Sequence, residues 1–93
     1  MKAKQRVVPR PFEMHWGKGQ IVEEATCDTP YHEPAIQLLQ YEDGSRSIRF
    51  CYFDHSGRFQ RSPLMLGEDA IAGMRKAVAK TPRLRSLLRK ISA

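Results

Sequence analysis

Long apolar runs are missing from this chain. No stretch of its 93 residues approaches the roughly 20 consecutive apolar residues of a membrane span. Its first residues show no secretory leader with an apolar core. The expectation is a protein with no membrane partner. Cysteine is scarce, with two in the whole sequence. Two cysteines without a leader argue for free thiols in a reducing cytoplasm, nucleoid-associated if the chain is bacterial. There is no internal repeat and no low-complexity tract. A Gly-rich phosphate loop, a nucleophile elbow and a helical His-Glu pair are all absent. Asp54, His55 and Ser56 do stand together, but neighbours in one tight turn rarely reach one another as a triad must. Turn chemistry accounts for them, and the expectation is a non-enzyme that needs no cofactor.

Metal binding is weighed on Cys27 with His32 and Cys51 with His55, two pairs with four and three intervening residues. Structural zinc sites pair a short Cys-Cys knuckle with a matching His pair, and no such knuckle is present. A small apolar Cys and a turn His are the preferred reading, so no metal site is expected.

Charge is abundant and uneven. The formal net charge is +6. Residues 1–34 balance five basic against five acidic side chains, and residues 35–66 set four Arg against three acids. From Gly67 onward seven basic residues face only Glu68 and Asp69. The excess therefore lies on the C-terminal segment. A balance of this size suits nucleic acid, an acidic partner or solubility.

The centre of the sequence is Ala35 to Leu66, read as three antiparallel strands with turns at Asp43-Gly44 and Ser56-Gly57. Glycine supplies the positive φ that tight hairpins demand. Asp54 to Arg58 suits a three-residue loop, which sets Asp54 opposite Arg58, Phe53 opposite Phe59 and Cys51 opposite Arg61. Alternation then places Ile48, Phe50, Tyr52 and Leu64 on one face, and Arg49, Cys51, Phe53, Phe59 and Arg61 on the other. The strand Ala35–Glu42 carries apolar residues on both faces, as an interior strand does.

Residues 1–17 read as an extended, partly mobile arm, because Pro9 and Pro11 discourage helix. Phe12, Met14 and Trp16 alternate, so the end of the arm is expected to pack onto something. Gly17 and Gly19 are read as a turn, Gln20 to Cys27 as a short strand, and Asp28 to Pro34 as a loop. Residues 18–93 then form one domain. After Leu66 a helix opens with Glu68 and Asp69 in its first turn, and Ile71, Met74, Ala77 and Val78 are expected to face the sheet. Thr81-Pro82 starts a second helix. Its Leu84, Leu87, Leu88 and Ile91 form a stripe to be buried on the chain's own sheet or on another subunit.

Two readings of binding follow. Arg49, Phe53, Phe59 and Arg61 share a face, with Arg46 and Arg58 at its turn ends. Rings that stack on bases and cations that track phosphates hold single strands in this way. The rival reading makes Phe53 and Phe59 a buried cross-strand pair whose arginines snorkel or pair with acids. A further version moves the site to the basic second helix, through Arg83, Arg85 and Arg89. A different class altogether is a protein–protein interaction module that docks through the apolar stripe of that helix.

The order of elements from Ile48 to Val78, IRFCYFDHSGRFQRSPLMLGEDAIAGMRKAV, resembles the positive-cofactor-four type of transcriptional coactivator, a Whirly-like single-stranded DNA-binding family. The parts that carry the likeness are Ile48-Arg49-Phe50, the Ser56-Gly57 turn, Arg58 to Arg61, Leu64-Met65-Leu66 and Glu68-Asp69. The resemblance implies a homodimer whose helices form the interface while its sheets grip single strands. It also implies that Arg49, Phe53, Arg58 and Arg61 contact nucleic acid. The expectation is an α+β domain, a four-stranded antiparallel β-meander followed by one or two C-terminal helices. The expected function is non-catalytic binding of nucleic acid, single-stranded DNA ahead of RNA or duplex, in transcription or DNA maintenance.

Overall fold

In the computed structural model, residues 6–60 and 64–93 are described. Two turns built alike set the central hairpins. Each is a three-residue loop closed by a glycine in the left-handed region, Gly44 at φ 89° and Gly57 at φ 91°. In the first, the Tyr41 N–H donates to the Ser45 carbonyl at 2.8 Å and the Gly44 N–H to the Tyr41 carbonyl at 3.0 Å. The second repeats the pattern, with Asp54 to Arg58 and Gly57 to Asp54 both at 2.9 Å. The carboxylates of Asp43 and Asp54 accept the N–H groups of Ser45 at 2.9 Å and Ser56 at 3.0 Å. The acid and the glycine act together, one by local hydrogen bonding and the other by its positive φ.

These turns organise an α+β fold. Strands β1 (Arg10–Met14), β2 (Gly17–Thr26), β3 (Glu33–Tyr41), β4 (Arg46–Phe53) and β5 (Leu64–Gly67) form an antiparallel meander in chain order. A 3-10 turn (Glu68–Ala70) leads into helices α1 (Ile71–Val78) and α2 (Pro82–Ser92). Phe53 bridges Phe59 as expected, but Phe50 pairs with Leu64 and Ile48 with Leu66, two residues off the register the turn sets; a shift of two keeps Leu64 on the face expected for it. The expected pairing of Cys51 with Arg61 lies outside the described residues. So does part of the continuous strand expected over 58–66.

The sheet has five strands among the described residues, not four. The extra one, β1, comes from the segment read as an arm. Proline is tolerated on an edge strand, where a missing N–H can point away from the neighbour. Pro11 lies in this edge strand, opposite Gln20. Gly17 and Gly19 are also reassigned. The turn is His15-Trp16, and both glycines belong to β2. Gly19 pairs with Phe12 on one side and Tyr41 on the other, and those two rings meet edge to face at 5.4 Å. A Cβ on Gly19 would stand 2.0 Å from the Gln40 carbonyl oxygen. Close approach of the backbones is why glycine stands there.

Two small cores lie on one face of the sheet. Phe12, Ile21 and Leu39 form the first, with Met14, Tyr41 and Met65 packed against it. Ala35, Cys51 and Phe53 form the second. A bulge in β2 lies between them: Ile21 pairs with Leu39, yet Glu23 pairs with Leu38. The extra residue shifts the alternation of β2, so Glu24 comes opposite Gln37 on the same face as Ile21.

The helices depart from expectation. No residue of α1 or α2 is buried, and Ile71 and Met74 are exposed rather than pressed on the sheet. Leu84, Leu87, Leu88 and Ile91 are exposed as well. Pro82 does open α2, but the Thr81 hydroxyl donates backward to the Val78 carbonyl at 3.0 Å instead of capping it. Periodicity identifies an apolar stripe and says nothing about which surface covers it.

The turn geometry yields a direct test. No atom lies within 4 Å of a Cβ built on Gly44, so Gly44→Ala should lose about 1 to 2 kcal/mol of stability through φ alone. Gly44→Asn should recover much of that loss in the same urea melt, because Asn tolerates the left-handed region. Equal stability of the Ala variant and the parent would refute the assignment.

Candidate functional site

A ladder of polar side chains crosses the sheet, one from each of four neighbouring strands. Arg10 on β1 grips Glu24 on β2 with both guanidinium nitrogens, at 3.0 and 2.8 Å. Gln37 on β3 donates its Nε2 to Glu24 Oε2 at 2.6 Å. Arg49 on β4 donates its Nε to Gln37 Oε1 at 2.6 Å. Gln37 and Arg49 are both buried, and the Glu24 side chain is 5 % exposed. Each member sets the next: the Gln37 amide can face only one way, carbonyl oxygen toward Arg49.

Charge on this face does not cancel. Burial pushes the Glu24 carboxyl up, but hydrogen bonds from Arg10 and Gln37 outweigh it and hold the group below the usual carboxylate range. Glu33 is held by Arg6, at 2.7 and 3.2 Å. Arg49 is left with a neutral amide as its hydrogen-bonded neighbour on the ladder. Burial lowers its pKa, as expected for a cation taken from water. The Cys51 thiol on the same strand is pushed up by burial, which makes it a poor nucleophile.

An aromatic row runs beside the ladder. The Arg6 guanidinium lies 3.6 Å from the Phe53 ring centre, Phe53 meets Phe59 edge to face at 5.6 Å, and Arg49 lies 4.8 Å from the Phe59 ring centre. Phe53 is only 6 % exposed, whereas Phe59 is 39 % exposed. An open cleft of about 900 Å³ adjoins this row. Arg10, Phe12, Trp16, Arg49, Phe53 and Phe59 are among its lining residues.

The expected site residues divide accordingly. Arg49, Phe53 and Phe59 come together. Phe53 is a packed ring under Arg6, so the buried cross-strand reading holds for it and Phe59 is the ring left open. Arg58 is exposed in the turn that follows β4. Arg46 is separated from the group, because it stands three residues before Arg49 on β4 and so falls on the opposite face, ion-paired to Glu68. Arg61 lies outside the described residues. Arg83, Arg85 and Arg89 are exposed along α2, and none of them lines the cleft.

Four residues of the site escaped sequence reasoning: Arg10, Glu24, Gln37 and Trp16. Trp16 carried a faint signal in the Phe12, Met14, Trp16 alternation. Arg10 and Glu24 depend on β1 and on the bulge, neither of which leaves a mark in composition, and Gln37 stands on this face by the plain alternation of β3. The cysteines and histidines do not gather. Among the described residues no three His, Cys, Asp or Glu side chains are placed to hold a metal ion. His55 Nε2 instead lies 2.7 Å from the Thr29 carbonyl oxygen, which ties the loop before β3 to the turn after β4. No helix of the described residues is long and apolar enough to cross a membrane.

No family model matches this chain, and neither does any curated protein or solved structure. The function must be argued from the residues and their geometry.

Glu24 predicts a pH dependence. Its pKa is depressed on folding, so its stabilisation is complete above the ordinary carboxylate value and is lost as pH falls through the lower folded value. The urea midpoint should therefore drop as pH falls below about 4. Glu24→Gln should flatten that drop and lower stability at neutral pH, where Arg10 loses its counter-charge. Parallel pH curves for the two proteins would count against the ladder.

Proposed function

We propose that this chain is a non-catalytic nucleic-acid-binding protein that holds single strands, DNA ahead of RNA or duplex, on the ladder face of its sheet. It acts in transcription or DNA maintenance, in keeping with the family its sequence resembles. The observation that carries this reading is Arg49. A guanidinium 7 % exposed, with both acids of its face already engaged by Arg10 and Arg6, borders an aromatic cleft. Buried charges call for a counter-charge, and a phosphodiester supplies one with the geometry a guanidinium prefers. Phe59 and Trp16 are the rings open enough to stack on bases, and such stacking is worth about 1–3 kcal/mol per base. The cations of α2 add a diffuse attraction.

Fluorescence anisotropy with labelled single-stranded and duplex DNA of equal length, at two salt concentrations, tests this. Tight, salt-sensitive binding that prefers the single strand is expected. Arg58→Ala, a change at an exposed turn, should reduce the salt slope by about 0.7 if Arg58 meets one phosphate. No binding at low salt would overturn the reading.

The protein works as a homodimer. The apolar surface left for a second copy includes the stripe of α2 and the half-buried Ile36, Leu38, Ile48 and Phe50 on the face behind the ladder. Sedimentation equilibrium should return about twice the chain mass, and Leu87→Glu should return the monomer. A monomeric parent protein would favour the interaction-module alternative, with α2 docking on a different protein.

A further inference from the structure

Resting on the nucleic-acid reading, we infer that the cleft beside Arg49 is a discrete pocket for one nucleotide unit, its phosphate on the Arg49 guanidinium and its base against Trp16 or Phe59. The cleft is built by the element absent from the four-stranded plan. β1 and its turn to β2 supply Phe12 and Trp16, and the opposite wall is β4 and Phe59. Its volume of about 900 Å³ lies within the range of small-molecule sites.

Chemistry selects the occupant. Arg49 spends its Nε on Gln37, and the ladder back through Glu24 to Arg10 holds that bond in place. The guanidinium is thus oriented before any ligand arrives, beside the Cys51 thiol and the Phe59 ring, and an incoming phosphate would meet it at its terminal nitrogens. A purely apolar ligand would bury this cation further without a counter-charge. An inorganic anion alone would leave the rings of Trp16 and Phe59 wet. A phosphate joined to an aromatic base satisfies both walls. Trp16 is 68 % exposed, far more than a ring kept for packing.

Trp16 is the only tryptophan, so its emission reports on the pocket directly. The full chain is titrated in parallel with a deoxynucleoside 5′-monophosphate, the parent nucleoside and inorganic phosphate. Saturable quenching by the monophosphate is expected, with the other two weaker by about tenfold or more. Arg49→Met should weaken the monophosphate by a similar factor. Trp16→Leu, at an exposed position, should do so in calorimetry with the fold intact. A 5′-phosphorylated oligonucleotide that outcompetes its unphosphorylated twin would assign the pocket to strand ends, and equal competition would assign it to an internal nucleotide. Equal quenching by nucleoside and monophosphate would overturn the phosphate assignment. If single strands bind while the monophosphate leaves Trp16 unchanged, the pocket fails and strand binding stands. If the monophosphate binds and strands do not, the pocket stands and strand binding falls. Silence in both assays overturns both.

Discussion

The ladder from Arg10 through Glu24 and Gln37 to Arg49 is the constraint on which this structure turns. It runs across four strands and needs every one of their registers. The bulge in β2 decides which of two adjacent acids serves: with it Glu24 stands opposite Gln37, and in an unbulged strand Glu23 would take that place, so half-buried Arg10 and buried Arg49 depend on this register for the carboxylate between them. Like charges in a low-dielectric setting repel strongly, and an unpaired buried charge costs more than most single contacts return. The bulge, the pairing of β1 and the orientation of Arg49 are therefore one solution to one electrostatic problem. The two small cores on either side exclude water from it.

The two faces of the sheet have divided their tasks. Among the described residues the ladder face carries Arg6, Arg10 and Arg49 against Glu24 and Glu33, with the rings of Phe53 and Phe59 packed beside them. The reverse face is aliphatic, with Ile36, Leu38, Ile48 and Phe50 only half buried. Helices that the sequence pattern would lay on a sheet leave their apolar sides exposed instead. Among the described residues no buried side-chain nitrogen or oxygen lacks a hydrogen-bond partner, whereas the apolar sides of both helices stay uncovered.

Much of the sheet was legible in the residues. Asp43-Gly44 and Ser56-Gly57 specify their turns through local chemistry; the first sets the register of its whole hairpin, and the second sets it only as far as Phe53 and Phe59, since β5 pairs two residues further along. The meander followed from those turns and from short β-rich segments. The first strand was hidden by Pro9 and Pro11, which forbid helix but not an edge strand. At the site, alternation brought Arg49, Phe53 and Phe59 together, and the same alternation should have removed Arg46. The ladder partners were not legible, since Glu24 sits on this face only because β2 departs from strict period two. Gln37 reads as an ordinary polar residue until its neighbours are known.

What the sequence by itself determined are the features set within a few residues: both turns, the opening of α2 at Pro82, the apolar stripe of α2 and the basic excess of the C-terminal segment. Each follows from backbone sterics or from a count of charges, and neither needs a distant partner. The tertiary structure alone decided which side chains share a buried face and that Arg49 meets an amide rather than a carboxylate on the ladder. Pairing across strands depends on register, and one extra residue in β2 changes the register of everything beyond it. A site assembled from four strands is therefore a property of the sheet, and no segment of the chain carries it alone.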